Sequence, residues 1–243
     1  MKLSIVIPVY NESATFPVLI ERVLTVALPE GLDKEIVIVE GGSTDGTREL
    51  ALSLKGRPGV TVILEDAPRG KGAAVRRGLA AATGDFVLIQ DGDLEYDVAE
   101  YPRLIEPLLA GRADIVMGSR ELGSPRSWLF RDPARGDRAY ALFVNSGGAI
   151  LTALFNFLYG TNLTDGATMF KFFRRADLAA LTLRSDVFDY DWEIIAKLAR
   201  RGKTFLELPV GYRARSRAEG KKIRVWRDGP RVLLAILRYR FLD

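Results

Sequence analysis

Short apolar runs alternate with amphipathic segments along the first half of the chain. Five runs are almost continuously apolar, which is typical of strands that are covered on both faces of a sheet. They are Leu3–Pro8, Glu35–Val39, Val60–Leu64, Phe86–Gln90 and Asp114–Met117. Helical patterns separate them at Phe16–Val26, Thr47–Leu54, Lys71–Ala82 and Tyr101–Leu109. This alternation predicts an α/β fold with a mostly parallel central sheet and helices on both faces.

The pattern changes after Arg120. Residues 121–138 are rich in Gly, Pro, Arg and Asp, which predicts a loop. The remaining apolar segments predict three helices and one extended stretch. They are helices over Tyr140–Tyr159, Trp192–Arg200 and Pro230–Phe241, and an apolar stretch over Phe205–Val210. Basic residues dominate Arg213–Arg224.

The last predicted helix is both basic and amphipathic. Apolar side chains fall near one face, with arginines between them. The apolar positions are Val232, Leu233, Ile236, Leu237 and Phe241, and the basic ones are Arg231, Arg238 and Arg240. Such a helix suits a membrane interface, and the alternative is a terminal helix docked on its own domain. No signal peptide is visible, and no apolar run reaches the roughly 18–20 residues of a spanning helix. We therefore expect a cytoplasmic protein, peripheral at the inner face of the membrane.

The amino-acid composition excludes several kinds of catalytic and metal-binding site. The 243 residues contain no cysteine and no histidine, so disulfides, His/Cys zinc sites and an imidazole base are excluded. Proton transfer and metal binding must fall to carboxylates, whose hard oxygens favour Mg²⁺ or Mn²⁺. The net charge of +4 suits acidic partners. Nucleic acid is not expected among them, because the basic residues lack interleaved aromatics on a recognisable platform.

Loops rich in polar and charged residues follow several predicted strands at their carboxyl ends. Open α/β sheets bind ligands at this edge. The loops begin at Val9, Glu40, Asp91 and Gly118. In Asp91-Gly92-Asp93, two carboxylates separated by one small residue can address one divalent cation from a tight turn. Glu95, two positions further on, is a candidate third ligand.

Four sequence blocks resemble family-two glycosyltransferases. They are Ser4–Glu12 (SIVIPVYNE), Gly42–Thr47 (GSTDGT), Arg69–Ala74 (RGKGAA) and Gln90–Glu95 (QDGDLE). The later blocks Gly118–Arg120, Thr164–Asp165 and Arg217–Lys222 (RAEGKK) resemble the dolichyl- or polyprenyl-phosphate sugar synthases, such as dolichol-phosphate mannose synthase. The resemblance implies one GT-A domain over residues 1–243. It divides into a nucleotide-sugar half (1–120), an acceptor half (121–224) and a C-terminal amphipathic helix (225–243).

The resemblance also implies site residues. Pro8, Tyr10 and Glu12 would line the nucleotide pocket, and Glu40 stands where the family usually has an aspartate facing the nucleoside. Asp91, Asp93 and Glu95 match the metal-binding pattern. Arg120 matches an arginine that grips phosphate near the reaction centre, and Asp165 matches a block that borders the sugar; with Asp93 these two form the candidate catalytic set.

Basic residues supply the remaining candidates. Lys71 opens a helix after a glycine and is a candidate donor contact, although a simple glycine turn explains the pattern equally well. The lipid-phosphate branch has an arginine four residues before a serine, whereas this chain has Ala141 and Asn145. Arg138, one turn away, is a candidate replacement. Arg217 and Lys222 are further candidates for phosphate binding.

The sequence departs from the family once more, in the loop that usually reads D-D-G-S. This chain has Glu40-Gly41-Gly42-Ser43, so the second acid is absent. The contact to the ribose or base that this acid would make is therefore left open.

The leading functional hypothesis is metal-dependent, inverting transfer of a hexose from a GDP-mannose or UDP-glucose type donor to a polyprenyl or dolichyl phosphate. The acceptor phosphate is already an anion near pH 7, so no strong base is required. A second hypothesis keeps the donor and uses a hydroxyl acceptor, with Asp165 or Asp191 as the base. A sugar nucleotidyltransferase is disfavoured because the loop after the first predicted strand, residues 9–13, is not glycine-rich and contains no glycine at all. A non-catalytic binding module is disfavoured by the intact Asp91/Asp93 pair.

Overall fold

Seven strands form one sheet in the computed structural model, which describes residues 1–122, 138–215 and 225–242. The strands are β1 (Lys2–Val9), β2 (Asp33–Glu40), β3 (Val60–Leu64), β4 (Phe86–Ile89), β5 (Ile115–Ser119), β6 (Lys171–Arg174) and β7 (Phe205–Pro209). Their order is β3-β2-β1-β4-β6-β5-β7. Pairing is parallel except where β6 meets β4 and β5. The predicted mostly parallel sheet is confirmed.

Helices cover the sheet on both faces. They are α1 (Phe16–Thr25), α2 (Thr47–Ser53), α3 (Lys71–Ala81), α4 (Tyr101–Leu109), α5 (Arg138–Tyr159), α6 (Arg175–Ala179), α7 (Tyr190–Arg200) and α8 (Val225–Phe241). A 3₁₀ turn, Val98–Glu100, precedes α4. The helices predicted in the first half are each confirmed to within one residue at either end. The last helix begins five residues before its predicted start, because Pro230 lies inside α8 rather than opening it.

Each face of the sheet carries its own apolar core. Along β1, Leu3, Ile5 and Ile7 point to the core under α1 and α4, whereas Val6 points to the core under α3, α5, α7 and α8. Successive side chains of a strand alternate between faces, so both sets must be apolar when both faces are covered. This explains the unbroken apolar runs in the sequence.

Strand β6 was not predicted, and it positions part of the site. Because β6 runs against its neighbours, its first residue, Lys171, lies at the edge where β4 and β5 end, opposite Met117. The loop that leads into β6 contains Asp165. The antiparallel strand therefore brings this loop to the carboxyl edge of the parallel strands.

Helix α8 docks on the rest of the fold through one face and exposes another. Val232, Ala235, Ile236 and Tyr239 are buried in the core that α7 shares, and the Tyr159 hydroxyl donates to the Ile236 carbonyl at 2.8 Å. The docked-helix alternative is thus confirmed for that face. Large apolar side chains of the same helix remain exposed. They are Trp226, Leu233, Leu234, Leu237 and Phe241.

Helix α5 corrects one expectation from the sequence. Among the described residues, its segment Leu142–Tyr159 is long and apolar enough to cross a membrane by length and composition, with a mean hydropathy of 1.4. The prediction that no segment reaches this length is wrong on that measure, because Gly147 and Gly148 interrupt the apolar run without adding charge. Only 17% of this segment is buried, and Phe155 packs it against the fold.

Candidate active site

Two loops at the carboxyl ends of β1 and β2 are joined by hydrogen bonds between side chains and backbone. The Asn11 amide donates to the Ser43 hydroxyl at 2.9 Å, and the Asn11 side chain accepts from the Thr44 amide at 2.9 Å. The Glu12 amide donates to Thr47 Oγ1 at 2.9 Å. Asn11 has a φ of 48°, a left-handed conformation that asparagine tolerates better than most residues. These bonds fix where the Glu12 side chain leaves the backbone.

The predicted nucleotide-pocket residues differ in their exposure. Pro8 is buried within β1. Tyr10 is 37% exposed at the strand end. A Cβ at Gly41, the position of the usual second acid, would lie 3.4 Å from the Val9 carbonyl oxygen and 3.5 Å from Tyr10 Cβ, which are ordinary van der Waals distances.

Glu40 is fully buried and its carboxylate is already bound. Oε1 accepts from the Ser43 amide at 2.6 Å, and Oε2 accepts from Arg48 at 2.9 Å. Arg48 also donates to the Glu65 carbonyl at 2.8 Å. This carboxylate therefore braces the loop after β2 from within.

The Gly70-Lys71-Gly72 segment opens α3 against a neighbouring loop. A Cβ at Gly70 or Gly72 would collide with the backbone carbonyls of residues 185–186, so both glycines are required by close approach. Lys71 Nζ forms an ion pair with Asp91. The glycines thus have a packing role, and Lys71 reaches the predicted metal-binding turn.

The acidic turn after β4 lies in a buried, negatively charged setting. Burial, followed by the charges of Asp91 and Glu95, raises the pKa of Asp93 to about 7. Asp93 Oδ1 accepts from the Glu95 amide at 3.0 Å, which closes the turn. Such a turn favours the approach of a positive group.

Arg215 is the positive group that binds there. Its Nη1 donates to Glu12 Oε2 at 2.8 Å, and its Nη2 donates to Asp93 Oδ2. Its backbone amide donates to Glu95 Oε1 at 2.8 Å, and Nε lies 3.6 Å from the same oxygen. The Tyr212 hydroxyl donates to Glu95 Oε2 at 2.8 Å. One guanidinium thus joins acids from two loops.

The predicted metal ligands are chemically suited to a hard divalent cation, since all three offer carboxylate oxygens. In the described part of the chain, however, no three acidic side chains converge closely enough to hold an ion. Asp91 contacts Lys71, while Asp93 and Glu95 contact Arg215. The three carboxylates are therefore suitable metal ligands by their chemistry, and in this structure each contacts a basic side chain.

Arg120 and Asp165 form a buried, two-pronged ion pair. Arg120 Nε and Nη2 donate to Asp165 Oδ2 and Oδ1 at 2.6 and 2.7 Å, and the Arg120 amide donates to Oδ2 at 3.1 Å. Arg120 is 9% exposed and Asp165 is fully buried. Burial alone would lower the pKa of Arg120, but the Asp165 carboxylate raises it well above the usual range. The guanidinium also lies over the Tyr212 ring at 4.9 Å.

A second buried pair, Lys171 and Asp191, lies nearby. Lys171 Nζ donates to Asp191 Oδ2 at 2.7 Å, and both side chains are almost completely buried. Burial lowers the pKa of Lys171 and raises the pKa of Asp191. Asp191, a candidate base in the hydroxyl-acceptor hypothesis, is therefore bound to a lysine.

Three predicted phosphate contacts lie beyond what the structure describes. Arg217 and Lys222 are outside the described residues, and only the backbone of Arg138 is described, at the start of α5. Asn145, at the position where the resembling branch has a serine, is buried.

Sequence reasoning missed Arg215, Tyr212 and Lys171 as members of the site. Tyr212 and Arg215 lie just after β7, whose carboxyl end shares the edge of β5. The sequence could have indicated these two residues only if the pairing of β7 with β5 had been known. Lys171 could have been placed at the site only if strand β6 had been predicted.

A family model described as glycosyl transferase family 2 matches residues 4–182. The chain is a member of glycosyl transferase family 2. This family-2 glycosyltransferase is 30% identical over 235 residues to the glycosyltransferase AglJ of Haloferax volcanii, covering 96% of this chain and 70% of that protein. It is 30% identical to a dolichol-phosphate mannosyltransferase of Pyrococcus furiosus, covering 91% of this chain and 59% of the relative.

A third relative is the undecaprenyl-phosphate 4-deoxy-4-formamido-L-arabinose transferase of Aeromonas hydrophila. It is 29% identical and matches 90% of this chain, which spans 62% of the relative. The family-2 glycosyltransferase described here thus spans about three fifths to seven tenths of the relatives it matches.

Solved structures agree on the fold of this family-2 glycosyltransferase. Glucosyl-3-phosphoglycerate synthase from Mycobacterium tuberculosis, in complex with Mn²⁺, UDP and phosphoglyceric acid, superposes with a TM-score of 0.69 at 22% identity, covering 100% of this chain and 79% of that one. The same enzyme with Mg²⁺ and UDP gives 0.67 at 21% identity, covering 100% and 80%. The predicted GT-A fold is confirmed.

Proposed function

We propose that this glycosyltransferase transfers a hexose, with inversion, from a nucleoside diphosphate sugar to a polyprenyl or dolichyl phosphate. One observation carries the choice of acceptor. The two acids considered as bases for a hydroxyl acceptor, Asp165 and Asp191, are both buried in ion pairs, with Arg120 and Lys171. The names of two relatives, which specify dolichol phosphate and undecaprenyl phosphate, support the same acceptor class.

An anionic acceptor removes the need for a base. A phosphate monoester has a second pKa near 6 and is largely ionised at pH 7. Its oxygen attacks the anomeric carbon as the bond to the diphosphate breaks, and the electron pair of that bond leaves with the diphosphate. Placement of the two reactants and neutralisation of the leaving group then supply most of the catalysis. This suits a chain without histidine.

We assign Asp91, Asp93 and Glu95 as the residues that hold Mg²⁺ or Mn²⁺. The donor set of three carboxylates supports the assignment, as do the burial of Asp93 and the neighbouring negative charges, which together raise its pKa. A divalent cation held there supplies positive charge to the diphosphate leaving group. Lys71, beside Asp91, adds a charge on the donor side of this turn.

The other predicted residues take roles that follow from their contacts. Tyr10 and the loop braced by Glu40 form the nucleoside side of the pocket. Arg120 and Asp165 act together, since the carboxylate fixes the guanidinium beside the acidic turn. Arg138, Arg217 and Lys222 remain proposed phosphate contacts on the strength of the sequence alone.

We also propose that the exposed apolar side chains of α5 and α8 rest on the membrane that carries the acceptor. Phe157 on α5 is 84% exposed and Trp226 on α8 is 75% exposed, and Trp226 stacks on Phe143 at 4.8 Å between ring centres. Arg238 and Arg240 are exposed on α8. Exposed apolar rings and exposed arginines on the same pair of helices suit an anionic bilayer surface.

The acceptor is tested with purified protein, Mn²⁺, a panel of UDP- and GDP-sugars, and a short polyprenyl phosphate. We expect sugar transfer to the lipid phosphate, lost in Asp93→Ala and kept in Glu30→Ala, a matched loss of an exposed carboxylate at the opposite edge of the sheet. Donor hydrolysis without transfer to the lipid would refute the acceptor and leave a glycosyltransferase for hydroxyl acceptors.

The membrane face is tested by sedimentation with vesicles of anionic or neutral phospholipid. Burial of one aromatic side chain contributes about 1.5–3 kcal/mol, so Phe157→Ser should weaken binding to anionic vesicles roughly tenfold or more. Leu52→Ser, which removes an exposed leucine from α2, is the control. Equal binding by both variants would refute this face.

A further inference from the structure

Arg215 lies between three carboxylates that come from two loops. Glu12 follows β1, whereas Asp93 and Glu95 follow β4. The guanidinium donates to Glu12 and Asp93, and its Nε lies 3.6 Å from Glu95. All four side chains are at least 85% buried, so the contacts are shielded from solvent.

The backbone fixes Arg215 in this position. The Tyr212 region pairs with Tyr96 in an antiparallel bridge, and the Arg213 amide donates to the Glu95 carbonyl at 2.9 Å. The Arg215 amide then donates to the Glu95 carboxylate at 2.8 Å. The segment after β7 therefore runs along the acidic turn and delivers the arginine to it. Backbone hydrogen bonds of this segment, and not only the reach of a long side chain, therefore place Arg215 on the acidic turn.

A guanidinium and a divalent cation cannot use the same oxygens together. Mg²⁺ and Mn²⁺ sit about 2.0–2.2 Å from carboxylate oxygens, and a positive guanidinium on those oxygens would repel the ion. Two of the carboxylates assigned to the metal, Asp93 and Glu95, are the ones that Arg215 contacts. The two cations therefore compete for these carboxylates.

We propose that Arg215 is an internal counter-cation of the metal site, which holds Glu12, Asp93 and Glu95 together and is displaced when the divalent metal binds. The inference rests on the metal assignment made under the proposed function. It adds a specific role for a residue outside the acidic motif. Arg215 preserves the folded arrangement of the acids at the cost of a lower metal affinity.

The test is direct titration of Mn²⁺, followed by electron paramagnetic resonance of the free ion, without donor or acceptor. Arg215→Ala should bind Mn²⁺ at least tenfold more tightly than the unaltered protein. Arg215→Lys should lie between them, because an ammonium group cannot reach two carboxylates in the fixed fork of a guanidinium. Arg213→Ala is the matched control, since it removes an exposed arginine two residues away and should leave the affinity unchanged.

Thermal denaturation supplies a second readout that does not depend on activity. Without Mn²⁺, Arg215→Ala should melt at a lower temperature, because three carboxylates lose their shared partner. Saturating Mn²⁺ should raise its melting temperature more than that of the unaltered protein. If the alanine variant does not fold, the lysine variant still reports the competition through its Mn²⁺ affinity.

The outcomes separate this proposal from the proposed function. Equal or weaker Mn²⁺ binding by Arg215→Ala, with clear binding by the unaltered protein, overturns the role of Arg215 and leaves the metal assignment standing. Absence of Mn²⁺ binding in every variant overturns both. Tighter binding in Arg215→Ala and Arg213→Ala alike also overturns the proposal, since it would reflect only the loss of a positive charge.

Discussion

Replacing Asp165 by asparagine should strongly destabilise the fold, because it removes the buried carboxylate that binds the Arg120 guanidinium through two hydrogen bonds. The carboxylate accepts three hydrogen bonds, at 2.6, 2.7 and 3.1 Å, and is fully buried. Removing one partner of a buried ion pair typically costs about 3–5 kcal/mol. Loss of the charge on Asp165 alone should therefore lower the free energy of unfolding by about that amount.

The exposed pair between Arg112 and Glu106 supplies the matched control. Both of its side chains are more than half exposed, so Glu106→Gln should cost less than about 1 kcal/mol. The double variant Arg120→Met/Asp165→Asn should recover much of the loss. It removes both charges, and the introduced amide oxygen can still accept from the backbone amide of residue 120.

Urea denaturation followed by circular dichroism measures all four proteins. The slope of the free energy against urea should stay constant, so that midpoints report stability. A cost for Asp165→Asn no larger than that for Glu106→Gln would refute the reasoning, because it would mean that water reaches the pair. Failure of the double variant to recover stability would show that the geometry of the pair, rather than its charge, carries the effect.

Further predictions concern sites away from this pair. Burial would raise the pKa of Glu35, but hydrogen bonds from Ser4 and Thr83 lower it to about 2. The free energy of unfolding should therefore fall as the pH drops from about 4.5 to 2. In acid denaturation, Glu35→Gln should reduce this fall by about 1–3 kcal/mol. Gly72→Ala should lower stability by about 1–3 kcal/mol in thermal denaturation, because the new methyl meets a backbone carbonyl. Gly147→Ala, inside α5 with open space around it, should raise stability by about 0.5–1 kcal/mol, and a loss there would contradict the helical environment of residue 147.

Much of the fold could be predicted because its strands are buried on both faces. The run Val60–Leu64 matches β3 at both ends, and α3 differs from its prediction by one residue. Strand β6 could not be found in this way, because it has only four residues and leads directly into α6. Its pairing with β4 and β5 determines its position, and a local pattern does not contain that information.

The candidate site was predicted in part for a related reason. The acidic turn after β4 has a local signature, so Asp91, Asp93 and Glu95 could be named from the sequence. The contact of Arg215 with Glu12 joins residues that are 203 positions apart, and no local rule predicts it. Among the basic residues after β7, the sequence alone gave no reason to prefer Arg215.

The acids at this edge of the sheet have basic partners before any donor binds. The described pairs are Lys71 with Asp91, Arg215 with Asp93, Arg120 with Asp165, and Lys171 with Asp191. If the metal takes Asp93 from Arg215, as proposed above, a positive side chain is released beside the incoming diphosphate. The metal and the nucleoside diphosphate should then each raise the affinity of the protein for the other. The metal binds the Asp93 carboxylate, and the diphosphate binds the Arg215 guanidinium that the metal has displaced. Mn²⁺ affinity that is unchanged by saturating UDP and by saturating GDP would show that the exchange of partners does not occur.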